Sequence, residues 1–479
     1  MRAHLPILPV LLSLAGALLL PLVGLATRRA AWSLAVASAG AATLAAAAGL
    51  VDVLVRGTQR YPVGGWPPPW GIELVLDPLS AFMATSVSGV STLALLGAGA
   101  GVAAGVGAPV FYALALIALT GFLGMIASGD LFNVFVFLEI ASISSYALVA
   151  SGGGAALVAG FRYVVLGTVG ASFYLLGVGL LYALTGTLNM ADLAARLPAV
   201  ADSPLFVGGV AFVVIGLAIK MGLFPLHGWL PDAYTYAPNA VSTLLAPVGT
   251  KAAAYALART LLYVLRPEGL PVNATVAWAG GAAVLAGGVM AARQVDSRRL
   301  LAYSSVSQLG YIALGLGLAN APALAGAYFH VLNHALMKAA LFMVVGAAGL
   351  QGRGPALRTL GLGPAMPVTT VCAVVAALSM VGVPPVGGFF SKWYLLQGAI
   401  EAGQPLLAAV VLVGTLLALV YMYRLTESVW FPAPAGRGAA PEAPAPVLVA
   451  LLLLTVAMVA AGLANAPIVT RILAPAAAR

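Results

Sequence analysis

Apolar runs of about 20 residues follow one another along nearly the whole chain, parted by a few polar, glycine or proline positions. A run of that length crosses the hydrocarbon of a bilayer as a helix. Fourteen are counted, at 5–27, 30–55, 78–105, 110–128, 130–151, 160–184, 204–225, 238–265, 274–292, 298–319, 322–349, 366–398, 404–430 and 445–470. Arg2 ahead of the first apolar core has the form of a secretory leader. Arg28, Arg29 and a second run follow at once, so the segment is read as a first span. The pattern predicts an all-α polytopic membrane protein. Two stretches interrupt it. The connection 56–76 is rich in Pro, Gly and Trp and is expected to form a structured loop or short hairpin, with Trp66 and Trp70 at the membrane interface. The stretch 431–445, FPAPAGRGAAPEAPA, reads as a flexible polar linker before the last span.

Composition strengthens this picture. Of 479 residues, 62% are hydrophobic and 7% charged, against about 25% charged in soluble domains. Cys372 is the single cysteine and lies in an apolar run, which excludes a disulfide framework or a cysteine metal cluster. No phosphate loop or dinucleotide fingerprint is present, and no cofactor or metal is expected. The net charge of +9 does not point to nucleic acid, because the arginines are spread over loops and helix ends. Odd-to-even loops hold Arg28, Arg29, Arg293, Arg298, Arg299, Arg353, Arg358 and Arg437, and the opposite loops Arg56, Arg60, Arg196 and Arg266. By the positive-inside rule, both termini are expected outside a bacterial or archaeal cell membrane.

Lysine is the informative cation. Only Lys220, Lys251, Lys338 and Lys392 occur, all in or beside apolar runs, while loops use arginine. A coding bias toward arginine explains the loops but leaves these four conspicuous. Burial can strip a lysine of its proton and cannot strip an arginine, so a site that binds and releases protons needs lysine.

The stretch GLAIKMGLFPLHGWLPDA, 216–233, sets Lys220 inside an apolar run and then breaks the run at Pro225. A lysine near the bilayer centre costs roughly 2.5–3.5 kcal/mol and therefore faces protein or water. Proline frees a carbonyl that hydrocarbon cannot satisfy. The plain alternative is a kinked helix with a snorkelling lysine; His227 and Asp232 just behind weigh toward an ion path. GLFPLHGW at 222–229 repeats as GVPPVGGF at 382–389, with Pro225 matched by Pro385, Pro384 beside it and Lys392 following. Paired broken helices mark repeat-built transporters.

Glu139 lies in the middle of the fifth span, nine residues beyond Asp130, or roughly 13 Å of helix. Asp130 suits a helix start. Near a lysine a buried glutamate ionises, and each partner sets the proton affinity of the other. The hydroxyls of Ser142, Ser144, Ser145 and Tyr146 either hold water or cap backbone carbonyls. In AYFHVLNHALMKAALFMV, His330, His334 and Lys338 fall at i, i+4 and i+8, one helix face of about 12 Å. Two histidines four apart also resemble a metal pair, but no third ligand or HExxH glutamate accompanies them.

The runs GDLFNVFVFLEIASISSYAL, FRYVVLGTVGASFYLLGVGLLYALTGTLNMADL, KMGLFPLHGWLPDAYTYAPNAVSTLLAPVGTKAAAYALAR, DSRRLLAYSSVSQLGYI, FHVLNHALMKAALFM and SMVGVPPVGGFFSKWYLL together resemble one family. It is that of the proton-conducting membrane subunits shared by Mrp-type monovalent cation/proton antiporters and respiratory complex I. The resemblance spans roughly residues 70–430. It implies about fourteen transmembrane helices with two inverted five-helix repeats and broken helices 7 and 12. The implied division is 1–105 for helices 1–3, 106–266 and 267–430 for the two repeats, and 431–479 for the linker and last helix. It also implies a coupling pair in Glu139 and Lys220, and a bridging Lys251. His330, His334 and Lys338 would form a relay, with Lys392 as the distal lysine. Asp130, His227, Asp232, Tyr303 and Ser307 are accessory candidates. Lys392 sets the chain apart from the complex I subunit with glutamate there. The chain ends soon after the last span, without the lateral helix or extra domains of larger members. Its length and GTLNMADL are most similar to the D-type Mrp subunit. The implied role is proton translocation in a hetero-oligomeric assembly of membrane subunits, exchanging protons for Na⁺ or K⁺. The alternative is an antiporter-like pumping subunit of an NADH:quinone oxidoreductase or membrane-bound hydrogenase.

Overall fold

The computed structural model describes residues 2–24, 27–102, 107–363, 365–431 and 441–477. Each of the fourteen expected segments holds a helix or a broken helix. They are α1 (Leu8–Val23), α2 (Arg28–Arg56), α3 (Pro78–Ala98), α4 (Ala108–Ala127), α5 (Leu131–Ala150), α6 (Ala155–Thr185), α7a (Pro204–Met221) with α7b (Leu230–Tyr236), and α8 (Asn239–Ala258). There follow α9 (Val272–Ala292), α10 (Ser297–Leu318), α11 (Ala321–Leu350), α12a (Pro367–Val381) with α12b (Gly387–Glu401), α13 (Pro405–Trp430) and α14 (Ala445–Leu463). Among the described residues, 11 of these are long and apolar enough to cross a membrane; α1 and α12a are apolar but shorter. α8, which carries Ser242, Thr243, Thr250 and Lys251, is not among the 11. The expected linker falls largely at 432–440, outside the described residues.

Several of the helices start where a short polar side chain accepts from the first free backbone amides. Asp77 and Ser80 form a reciprocal capping box on α3, and Asp130, Asp296 and Asn320 cap α5, α10 and α11. The loop before α3 is a departure from an all-helical chain. Gln59–Pro62 and Glu73–Leu76 pair as an antiparallel hairpin, Gln59 opposite Leu76 and Pro62 opposite Glu73, with Trp66 and Trp70 exposed. His4 reaches Tyr61 of this hairpin at 3.1 Å, and Pro475 lines a cavity with Thr58 and Arg60. Both ends of the described chain thus lie at one face.

Helices 7 and 12 are broken, as the two proline motifs predict. Gly222 (φ +74) and Gly382 (φ +93) take the left-handed conformation that lets a helix stop. The next amide then turns back, Leu223 to the Ala218 carbonyl and Val383 to the Leu378 carbonyl, each at 3.0 Å. A second correspondence was not foreseen. Leu131 N–H bonds Leu188 O and Met190 N–H bonds Gly129 O; the same lattice recurs as Ser297 to Pro355 and Leu357 to Val295.

Small residues let the central helices touch backbone to backbone, as membrane helices do where apolar burial drives nothing. A Cβ on Gly280 of α9 would lie 2.4 Å from the Leu314 nitrogen of α10, and one on Gly216 of α7a 2.6 Å from the Gly170 carbonyl of α6. Backbone cannot yield as a side chain does. Gly280→Ala is therefore expected to destabilise by about 1–3 kcal/mol, read as a lower melting temperature of the detergent-solubilised protein; an unchanged melting temperature would contradict the contact. α10 and α11 are buried over most of their length, whereas α2, α6, α13 and α14 keep exposed apolar faces. The two innermost helices are thus the ones rich in polar groups.

Candidate functional site

Lys220 occupies the last turn of α7a, two residues before the glycine that ends it. Its ammonium donates to Glu139 Oε1 at 3.1 Å, Ser142 Oγ at 2.8 Å and Tyr146 Oη at 3.1 Å. Those three acceptors stand at i, i+3 and i+7 on α5, one face of that helix. The Lys220 side chain is 6% exposed and that of Glu139 25%, so the carboxylate is the more accessible end of the pair. Ser144 and Ser145 instead bond the carbonyls of Ile140 and Ala141. Of the four hydroxyls, two serve the lysine and two cap the backbone. The break itself braces the pair: Trp229 Nε1 donates to the Ile219 carbonyl at 2.8 Å and stacks on Tyr163, which packs edge-on against Tyr146.

Beyond Lys220 lies a cavity of about 30 Å³ walled by Ser142, Ser145, Tyr163 and, from α8, Gly249 and Ala253. Lys251 is two residues from each in sequence, on another face of α8, and is not part of the cavity wall. It is fully buried and donates to the Ala246 carbonyl at 2.7 Å and to Thr250 Oγ1 at 3.3 Å. On α11, His330 bonds Ser391 Oγ of α12b at 2.9 Å through Nδ1 and Gln308 Oε1 of α10 at 3.1 Å through Nε2. Gln308 donates onward to Tyr421 Oη at 3.0 Å. His334 stacks on His330 with centroids 6.0 Å apart, and neither of its buried ring nitrogens has a hydrogen-bond partner. Lys338 donates to the Leu301 carbonyl at 2.7 Å and Ser304 Oγ at 2.6 Å. Lys392 turns its ammonium to the Met380 and Val381 carbonyls at 2.8 and 3.0 Å, and over the Tyr311 ring at 5.0 Å. Those carbonyls are the ones the second break leaves open.

The accessory candidates fall elsewhere. Asp130 caps α5, and Ser307 bonds the Val284 carbonyl, tying α10 to α9. Asp232 pairs with Arg162 at 2.6 Å and Arg299 at 3.3 Å, and Arg299 lies over the Tyr303 ring. His227 stacks on Phe224 and leaves Nδ1 without a partner. Sequence reasoning passed over Ser304, Gln308, Tyr311 and Ser391, which contact His330, Lys338 and Lys392. The signal was there in SSVSQLGY: Ser304, Gln308 and Tyr311 stand at i, i+4 and i+7, the face that meets α11. Among the described residues, no three His, Cys, Asp or Glu side chains are grouped to hold a metal.

Comparison with known proteins gives the chain its relatives. The family model described as NADH:quinone oxidoreductase/Mrp antiporter, TM, matches residues 128–418. The chain is 46% identical to the NADH-quinone oxidoreductase subunit N of Desulforudis audaxviator over 99% of its own length and 98% of that protein. It is 34% identical to the D-type subunit of the Na⁺/H⁺ antiporter of Alkalihalophilus pseudofirmus, covering 78% of this chain and 76% of that one. Its backbone matches a chain of the Mrp complex from Dietzia sp. DQ12-45-1b with a TM-score of 0.91 at 27% identity, over 100% of this chain and 97% of the other.

Proposed function

The chain belongs to the NADH:quinone oxidoreductase/Mrp antiporter family of multi-pass membrane proteins, and from that premise we propose that it translocates protons through a buried row of Glu139, Lys220, Lys251, His330, His334, Lys338 and Lys392. It is a transporter subunit with no catalytic chemistry of its own. The observation that carries the reading is the 3.1 Å contact of Glu139 on α5 with Lys220 at the break of helix 7. An ionic pair there interconverts with a neutral pair by moving one proton across one hydrogen bond. The cavity of about 30 Å³ toward α8 has room for about two waters. The two ring nitrogens of His334 have no hydrogen-bond partner and stand between His330 and Lys338 on α11, which supports a place for them in the row. The matching closures at Gly222 and Gly382, and the recurring lattices before α5 and α10, support two repeats, helices 4–8 at 106–266 and helices 9–13 at 267–430. An odd number of spans separates the starts of α5 and α10, so the second repeat is inverted. The distribution of loop arginines supports an orientation with the shared face of both termini outside.

For the assembly, the first reading is exchange of protons for Na⁺ or K⁺ within a multi-subunit antiporter, supported by the TM-score of 0.91 to a chain of the Mrp complex. The second is a pumping subunit of a quinone-reducing complex, favoured by 46% identity from end to end with a protein named NADH-quinone oxidoreductase subunit N. The site serves both. Purifying the tagged chain with its partners separates them. Small membrane subunits and cation exchange driven by an imposed pH gradient support the first. Large hydrophilic subunits and proton uptake driven by an electron donor and quinone support the second. Under either reading the single chain, reconstituted alone, is expected to exchange no cation for protons, since the proposed row carries protons only and the coupling is assigned to the assembly with its partner subunits; robust pH-driven Na⁺ uptake by it would overturn this.

A further inference from the structure

A cavity of about 300 Å³ opens at the hairpin face, and nothing in the row above uses it. Thr58 and Arg60 of the hairpin segment line it, and its floor is an ordered hydrogen-bond string. Arg259 Nη2 donates to Asp77 Oδ2 at 2.6 Å and to Tyr255 Oη at 2.8 Å, and Nε adds a second bond to Tyr255 at 3.0 Å. Asp77 keeps its other oxygen for the Ser80 N–H that starts α3. Glu73 beside it accepts from Arg60 at 3.0 Å and Asn189 at 3.3 Å. Each carboxylate is thus held by an arginine.

Stability alone does not ask for such a floor, because a largely buried ion pair gains little over apolar packing. Direction is its notable property. Lys251, Tyr255 and Arg259 stand at i, i+4 and i+8 of one helical course, so the string runs along one face of α8 toward the buried lysine, about 12 Å in all. From Arg259 to Leu265 the helix widens into a π-turn, a form often found at functional sites. On the far side the Tyr263 ring lies 5.1 Å from the Arg259 guanidinium, and its hydroxyl is 3.3 Å from that of Tyr328 on α11.

We propose that Tyr255, Arg259 and Asp77 form the terminal stretch of a proton path between Lys251 and this cavity, so that the first half of the molecule has its own opening at the hairpin face. The proposal rests on the relay reading above. Tyr255 takes a proton from the Lys251 side through water and releases its own O–H proton to Asp77 through water of the cavity, the two oxygens meeting on Arg259 rather than bonding each other, and ends unchanged. Arg259 holds both oxygens in line and keeps its charge throughout, as only arginine does.

The test uses the intact assembly in sealed vesicles, on a Cys372→Ala background carrying Ala194→Cys in the cavity wall. A membrane-impermeant methanethiosulfonate added at the hairpin face is expected to modify that cysteine and slow transport. Tyr255→Phe keeps the packing and Asp77→Asn keeps the helix cap; each is expected to lower proton-coupled transport about tenfold or more, with Asp77→Glu restoring part of the loss. In both, the rate of thiol modification should stay that of the parent. A changed modification rate would make the string merely structural and overturn the proposal. Parental transport in Tyr255→Phe and Asp77→Asn, alongside a dead Lys220→Ala, would remove this opening and leave the relay standing. Parental transport in Lys220→Ala as well would remove both.

Discussion

Lys220→Ala is expected to reduce proton-coupled transport by the intact assembly on the order of a hundredfold, and Glu139→Ala by a comparable factor. The double variant should be little worse than the worse single. The reason is geometric: the two side chains share one hydrogen bond at 3.1 Å, with Ser142 and Tyr146 as the remaining acceptors of the ammonium. Removing either leaves the other without its exchange partner in a poorly hydrated interior, so the pair fails as a unit. Two independent posts along a relay would instead multiply their losses. A double-mutant cycle on transport, at matched membrane levels, decides between them, and multiplicative losses would end the pair as a mechanistic unit. Tyr146→Phe is a useful companion, since it removes one acceptor from Lys220 and leaves the carboxylate in place.

Lys392→Arg is expected to fail almost as badly as Lys392→Ala, each on the order of a hundredfold. The structure supplies a sharp competitor to this expectation. Lys392 donates to the Met380 and Val381 carbonyls that the break at Gly382 leaves open, so it also acts as a side-chain cap for α12a. An arginine satisfies those carbonyls at least as well and retains the contact with the Tyr311 ring. It does not release a proton at any working pH. Rescue of transport by arginine would therefore assign Lys392 to capping alone. Failure of the arginine variant, with thermal stability near that of the parent, would assign it to proton transfer.

Much of the architecture is written locally in the chain. A bilayer tolerates no unpaired backbone, so each apolar run of sufficient length becomes a helix whatever its neighbours are. Asp77, Asp130 and Asp296 start helices and Gly222 and Gly382 stop them through contacts within a few residues, and such contacts are legible in sequence. The face of His330, His334 and Lys338 follows from the helical period alone. What neighbours what is not local. Glu139 meets Lys220 from 81 positions away and Asp77 meets Arg259 from 182; the resemblance to a family suggested the first and nothing suggested the second. The hydroxyls after Glu139 show both sides. The helical period sets Ser142 and Tyr146 on the face of Glu139 and Ser144 off it. That this face is the one to receive the Lys220 ammonium depends on the approach of α7a, whose Gly216 crosses closely over α6. Partner choice in this bundle is decided where small residues let backbones touch, and that is a property of two helices together rather than of either one.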